Sequence, residues 1–171
     1  MAVVRDATAG LGAQDRGATV LQLRDPNATA RALEGEACRL VAEAAVPVVV
    51  SARADLALAA GAAGVHLPER DLPVAGARRV LGPDRLVGRS VHSVAAAVLA
   101  EAEGADYLVF GSVFVSASHP GQEVAGLAAL ERVAAAVRIP VLAIGGVDAD
   151  RIAACLAAGA AGFAAIRYFE G

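Results

Sequence analysis

Three hydroxyls and an imidazole crowd one short segment of the chain: Ser112, Ser116, Ser118 and His119, just before Pro120 and Gly121. They follow an apolar strand pattern, Asp106 to Phe110, that runs into Gly111. A strand that delivers hydrogen-bonding groups to a loop at its carboxyl end is how a βα barrel makes an active site. Histidine titrates near neutrality, so His119 and His92 are the acid/base candidates. His92 also reads as a satisfied imidazole beside the capping Ser93. Ser112 is a weak base without a partner. Gln22 and Arg24 end a strand pattern and point at the same mouth. A guanidinium holds a carboxylate or phosphate through two parallel hydrogen bonds. Arg53 either does likewise or bridges to Asp55. Ser90, Ser116 and Ser118 are donors for ligand oxygens. Gly145 and Gly146 let backbone approach an anion closely. Ile166 and Arg167 follow the last strand pattern, where barrels often hold phosphate; Arg167 reads as a clamp or as a plug that crowds the site. Asp71 reads as a metal ligand or as a helix N-terminal charge. His66, inside a strand pattern, reads as a structural group bonded to backbone.

The elements that must position these residues alternate along the whole chain. Strands are expected at Ala2–Val4, Thr19–Leu23, Pro47–Val50, Gly64–Leu67, Arg85–Gly88, Asp106–Phe110, Pro140–Ile144 and Gly162–Ile166. Ala-rich helical stretches separate them, with Asn27, Ser93 and Asp148 as caps and Gly61, Gly82–Pro83 and Gly159 as stops. Such alternation calls for parallel pairing through right-handed crossovers, and the apolar strands fit burial on both faces. The expected fold is a single-domain α/β (β/α)8 TIM barrel over residues 1–171. An open doubly wound sheet is the alternative, but no Gly-x-Gly-x-x-Gly follows the first strand. The chain is short for a barrel, which usually takes about 250 residues. The shortfall falls on a stunted first helix and a missing last helix. We therefore expect an apolar gap in the outer wall there, covered by a second copy in a homodimer.

Composition excludes several functions. The 15 basic residues are all Arg, so no side-chain amine exists for Schiff-base chemistry. A net charge of −3 and 4% aromatic residues argue against nucleic acid as a partner. Mean hydropathy is +0.55, yet Arg or Asp breaks each apolar run before it could span a bilayer. No secretory signal is visible. Cys38 and Cys155 stand alone, without metal spacing, and read as reduced core thiols of a cytoplasmic protein.

Several segments together resemble the thiamin phosphate synthase / TenI family. They are Leu21–Arg24, Arg53–Ala57, Gly64–Leu67 through Asp71, Gly88–Ser93, Gly104–Tyr107 through Phe114, Ile144–Gly146 and Gly162–Ala164. They occur in order and at the family's spacing. The resemblance implies a barrel that handles thiazole phosphate in thiamin biosynthesis, commonly as a dimer. Its synthase branch joins a pyrimidine methyl diphosphate to thiazole phosphate with Mg2+. Against that branch, Pro26 stands where a diphosphate lysine is expected, Ser51–Ala52 where an Asn–Asp pair is expected, and His119 where a second lysine is expected. Asp71 keeps the other Mg2+ carboxylate. The TenI branch looks closer through Gly88–Ser93, Phe110–Phe114 and the Ser118–Gly121 ending. It includes a tautomerase that aromatises a carboxythiazole phosphate by moving a proton, although Ser112 occupies the position of its histidine. The expectation is a cytoplasmic TenI-like barrel that binds thiazole phosphate and tautomerises the carboxythiazole without a cofactor. The alternatives are a synthase, which alone would need Mg2+, and a non-catalytic thiazole-phosphate-binding regulator.

Overall fold

The computed structural model describes residues 1–115 and 124–170. Strands and helices alternate without exception: β1 (Ala2–Val4), α1 (Ala7–Asp15), β2 (Leu21–Leu23), α2 (Ala30–Glu43), β3 (Val48–Ser51), α3 (Ala54–Ala59), β4 (Gly64–Leu67), α4 (Val74–Leu81), β5 (Leu86–Val91), α5 (Val94–Ala102), β6 (Tyr107–Phe110), α6 (Leu127–Ala136), β7 (Val141–Ile144), α7 (Ala149–Ala157) and β8 (Gly162–Ala164). The eight strands are parallel and pair in sequence order. The bridge Ala2↔Ala165 joins the last to the first. Two backbone bonds hold that seam, Val3 N to the Ala165 carbonyl at 2.9 Å and Ala165 N to the Met1 carbonyl at 3.1 Å. The expected barrel is what forms.

Alternation along each strand sends side chains to two separate cores. Leu21, Leu23, Val50, Val65, Val87 and Leu108 face the helices and belong to the larger one. Val49, Tyr107, Val109 and Ala164 face the barrel axis, with Met1 below them. Cross-strand partners share a face, so the register Ser51↔His66↔Gly88↔Tyr107 is one inward-facing row. That row is the floor on which the site is built.

Local chemistry moves three expected boundaries. Asn27 is not the cap of α2; its amide donates to Asp25 Oδ1 in a turn, and Thr29 Oγ1 accepts from Ala32 N instead. β5 runs on to Val91, because Ser90 and Val91 pair with Val109 and Phe110. β8 stops at Ala164, short of Ile166, because the chain turns after the Ala165 bridge into a 3-10 turn, Arg167–Phe169.

No α-helix follows β8 among the described residues, as expected, and that turn lies over the seam beside β1. Phe169 is buried and stacks parallel on Phe163 at 5.9 Å, with Tyr168 edge-on to both rings. Arg16 of the α1 C-cap donates through Nε to the Phe169 carbonyl at 2.6 Å, which ties the plug to the far side of the seam. α1 is the short helix expected, nine residues over Ala7–Asp15, and Asp6 Oδ1 caps it by accepting from Ala9 N. Many of the exposed large apolar residues lie away from the seam, notably Val94, Val98 and Leu99 of α5. Phe169→Ala is expected to cost about 3–5 kcal/mol, the range for a buried aromatic truncated to a cavity. Urea denaturation checks it, and a change below about 1 kcal/mol would mean the ring does not fill the seam. Cys155 is buried as expected, but Cys38 is exposed on α2 and is not a core thiol. Among the described residues no helix is long and apolar enough to cross a membrane.

Candidate functional site

A cavity of about 490 Å³ opens at the carboxyl ends of the strands. Each wall comes from a different strand end. Arg24 follows β2, Ser90 and His92 come from the end of β5, Gly111 and Ser112 follow β6, Gly145 and Gly146 follow β7, and Ile166 and Arg167 follow β8. Of the residues singled out in the sequence, Arg24, Ser90, His92, Ser112, Gly145, Gly146, Ile166 and Arg167 therefore line one space.

The glycine rim is interlocked with the neighbouring loop. Val113 N donates to the Ile144 carbonyl and Phe114 N to the Gly145 carbonyl, both at 2.9 Å. Gly145 and Gly146 take φ values of +96° and +63°. A Cβ on Gly145 would sit 2.6 Å from Ser112 Cβ, and one on Gly146 only 2.4 Å from the Val115 carbonyl oxygen. Glycine is required there by space as well as by conformation. Arg151, in the first turn of α7, braces the rim. Its Nη1 donates to the Gly146 carbonyl at 2.7 Å, it pairs with Asp148 at 3.3 Å, and its guanidinium stacks over Phe114 at 5.0 Å. Arg151 and Asp148 both line the cavity, and sequence reading gave Asp148 only a capping role and Arg151 none. The signal was present: an arginine three residues past a capping Asp returns to the loop before the helix.

Among the described residues the lining is positive. Arg24, Arg151 and Arg167 contribute guanidinium groups, and Asp148, the carboxylate among them, is paired with Arg151. His92 stands at the rim with its ring held by Glu69. Glu69 Oε1 accepts from His92 N at 2.9 Å and Oε2 from His92 Nδ1 at 2.8 Å. Burial pushes the Glu69 carboxyl up, but the bonds from His92 outweigh it and hold the acid below its usual range. A carboxylate on Nδ1 makes Nδ1 the donor, which leaves Nε2 as the ring's free acceptor when the imidazole is neutral. Sequence reading did not pair Glu69 with His92; the two lie 23 residues apart. The Glu69 and Leu72 carbonyls also accept from Arg89, which fixes the loop after β4.

Other expected site residues lie elsewhere. Gln22 is buried and pairs in register with Val49, so it faces the barrel axis and is not part of the lining. Arg53 takes the alternative left open for it: Nε and Nη2 bond the two Asp55 oxygens at 2.8 and 2.6 Å, outside the cavity. Asp71 Oδ1 accepts from the Leu72 amide at 2.6 Å, and the residue is absent from the lining. Ser116, Ser118 and His119 lie outside the described residues. His66 is not bonded to backbone as expected. Its Nε2 lies 2.8 Å from Ser90 Oγ and its Nδ1 3.2 Å from the Tyr107 hydroxyl. Burial, helped by the charges of Arg89 and Arg24, pushes its pKa down to about 3, so the ring is neutral at ordinary pH. Burial, and then the charge of Asp106, pushes the Tyr107 phenol well above its usual value.

A family model described as thiamine monophosphate synthase matches residues 2–169. The chain belongs to that family. It is 45% identical over 180 residues to the thiamine-phosphate synthase of Methanoculleus marisnigri, covering 96% of this chain and 84% of that protein. It is 47% identical over 164 residues to the thiamine-phosphate synthase of Anaeromyxobacter dehalogenans, covering 92% and 71%. The solved thiamine phosphate pyrophosphorylase of Pyrococcus furiosus superposes with a TM-score of 0.86 at 35% identity, over 97% of this chain and 84% of that one. A 3-hexulose-6-phosphate synthase structure, at 23% identity and TM-score 0.74, shares the fold alone.

These relatives favour the synthase alternative over the tautomerase expectation, because the similar proteins are named as synthases. Ser112 also has no hydrogen bond to an imidazole among the described residues, so it has no base beside it there. The carboxylates expected to hold Mg2+, which the synthase family uses, do not come together among the described residues. Ser51 and Ala52 carry no carboxylate, Asp71 is turned to its own loop, and among the described residues no three His, Cys, Asp or Glu side chains converge.

Proposed function

We propose that this member of the thiamine monophosphate synthase family is a thiamine-phosphate synthase, seating thiazole phosphate in the cavity at the mouth of its barrel. The observation that carries the reading is that the glycine rim of Gly145 and Gly146 lines one space with Arg24 and Arg167. Backbone approach and guanidinium forks suit a monophosphate ester. In the proposed transfer, the carbon–oxygen bond from the pyrimidine methyl group to diphosphate breaks. A carbon–nitrogen bond to the thiazole forms, and diphosphate leaves with the bonding electrons. The chain's own part is to hold the phosphate ester and to balance negative charge with arginines. Arg24 and Ser90 line the same cavity and are donors for the departing oxygens. A homodimer in the cytoplasm is part of the same reading.

The test is turnover of the pyrimidine methyl diphosphate with thiazole phosphate, measured with and without Mg2+, beside calorimetric affinity for thiazole phosphate. Turnover is expected. Arg167→Ala is expected to weaken thiazole phosphate about 10- to 100-fold, the worth of a charge-assisted hydrogen bond. Unchanged affinity would remove Arg167 from the site. A second reading, a thiazole-phosphate-binding regulator without turnover, is favoured by one observation: the chain has no lysine for the diphosphate, and Ser51 and Ala52 stand where a carboxylate is expected. Tight binding with no product would select it.

A further inference from the structure

Three strands send interior side chains to one point under the cavity floor. His66 of β4 has Ser90 Oγ of β5 at 2.8 Å from Nε2 and the Tyr107 hydroxyl of β6 at 3.2 Å from Nδ1. His66 and Tyr107 are buried, while Ser90 lines the cavity. Gly88, two residues before Ser90, makes this possible. A Cβ there would lie 2.1 Å from Tyr107 Cζ and 2.4 Å from its hydroxyl oxygen. Only a glycine on β5 lets the phenol reach across to the imidazole.

The geometry points to a directional hydrogen-bond chain, Tyr107 to His66 to Ser90, that presents the Ser90 hydroxyl to the cavity as a donor and so selects a ligand oxygen that carries no hydrogen, such as a phosphate oxygen. This deepens the phosphate-ester reading above and rests on it for the ligand's identity. A neutral imidazole has one N–H and one lone pair. With the lone pair on Nδ1, the phenol donates to it, and Nε2–H donates to Ser90 Oγ. Each buried donor is then used, and the serine's own hydrogen is left to point into the cavity. In the opposite tautomer Nδ1–H donates to the phenol oxygen, and the phenol hydrogen has no acceptor among the described residues. Ser90 would then give its hydrogen to Nε2 and offer the cavity only lone pairs, which repel phosphate. An orphaned buried donor is the costlier defect, because an oxygen keeps a second lone pair in reserve. Burial and the flanking Arg89 and Arg24 keep a second proton off the ring, so the direction persists. Tyr107 and His66 are thus positioning residues, and Ser90 is the group that touches ligand.

Nitrogen-15 NMR of the full unliganded chain reads the tautomer directly. The Nε2–H form of His66 is expected, and the Nδ1–H form would overturn the chain's direction; neither result needs a variant or a ligand. Calorimetry with inorganic phosphate reads the consequence. Ser90→Ala and Tyr107→Phe are each expected to weaken phosphate about fivefold, the worth of one neutral hydrogen bond. The double variant is expected to be no weaker than Ser90→Ala alone, because both act through the same hydrogen. Additive losses, or a Tyr107→Phe variant that binds like the parent while Ser90→Ala does not, would overturn the proposal. If the parent binds no phosphate, the reading of the cavity falls, and the tautomer still judges the chain.

Discussion

Gly146→Ala is expected to weaken thiazole phosphate binding more than tenfold and to lower stability by about 1–3 kcal/mol, the range for small-to-large changes in a packed site. Conformation alone would not do this. Ala52 already sits at φ +64°, almost the value of Gly146, so this fold tolerates an alanine there. The difference is space. The added Cβ would meet the Val115 carbonyl at 2.4 Å and Phe114 Cβ at 2.9 Å. Neither is the free end of a flexible side chain, so the loop after β6 must shift and carry Ser112 with it. Gly61→Ala is the control. Gly61 has φ +66° and nothing within 4 Å of its built Cβ. That variant is expected to cost about 1 kcal/mol and to leave binding intact. Calorimetric affinity and denaturation midpoints for the two variants check the contrast. Parental affinity in Gly146→Ala would show that the rim does not touch the ligand.

The second large effect is on acid stability. His66 has a pKa of about 3 in the folded chain, against an ordinary value of 6.5. Between those values the unfolded chain binds a proton that the folded chain refuses. Stability therefore rises with pH across the window. The contribution is complete above about pH 6.5 and is lost as pH falls toward 3. From pH 7 to pH 4 this one group should remove about 3 kcal/mol, because each whole pH step inside the window costs about 1.4 kcal/mol. Glu69, held below its usual range, loses its own contribution only lower, as pH falls below the ordinary carboxylate value. His66→Gln removes the titrating ring. It should be less stable than the parent at pH 7, because it breaks the bonds to Ser90 and Tyr107, yet show a shallower loss down to pH 4. Urea midpoints measured every half pH step would check this, and parallel curves for the two proteins would refute it.

Much of this protein is legible in its sequence, for a physical reason. Strand and helix periodicity, caps and glycine stops are local, and they specify eight alternations and hence parallel pairing. The glycines after β7, the arginine after β8, and Arg24, Ser90, His92 and Ser112 at strand ends follow from that alternation, because strand ends in a parallel barrel all open on one face. The resemblance to the thiamin phosphate synthase family is legible in the same way, from short motifs in order.

The branch within the family is not legible from motifs alone, and neither are the partnerships. Whether Arg53 reaches a ligand or Asp55 depends on rotamers after a turn. Whether Glu69 meets His92, 23 residues on, depends on how two loops lie over β4 and β5. His66 finds Tyr107 across 41 residues because the register places Ser51, His66, Gly88 and Tyr107 in one inward row, and because Gly88 leaves the row open. Phe169 closes the seam because the chain after β8 turns back toward Arg16. Local pattern decides which residues face inward. Register and closure, set only when all the strands pack together, decide what each one meets there.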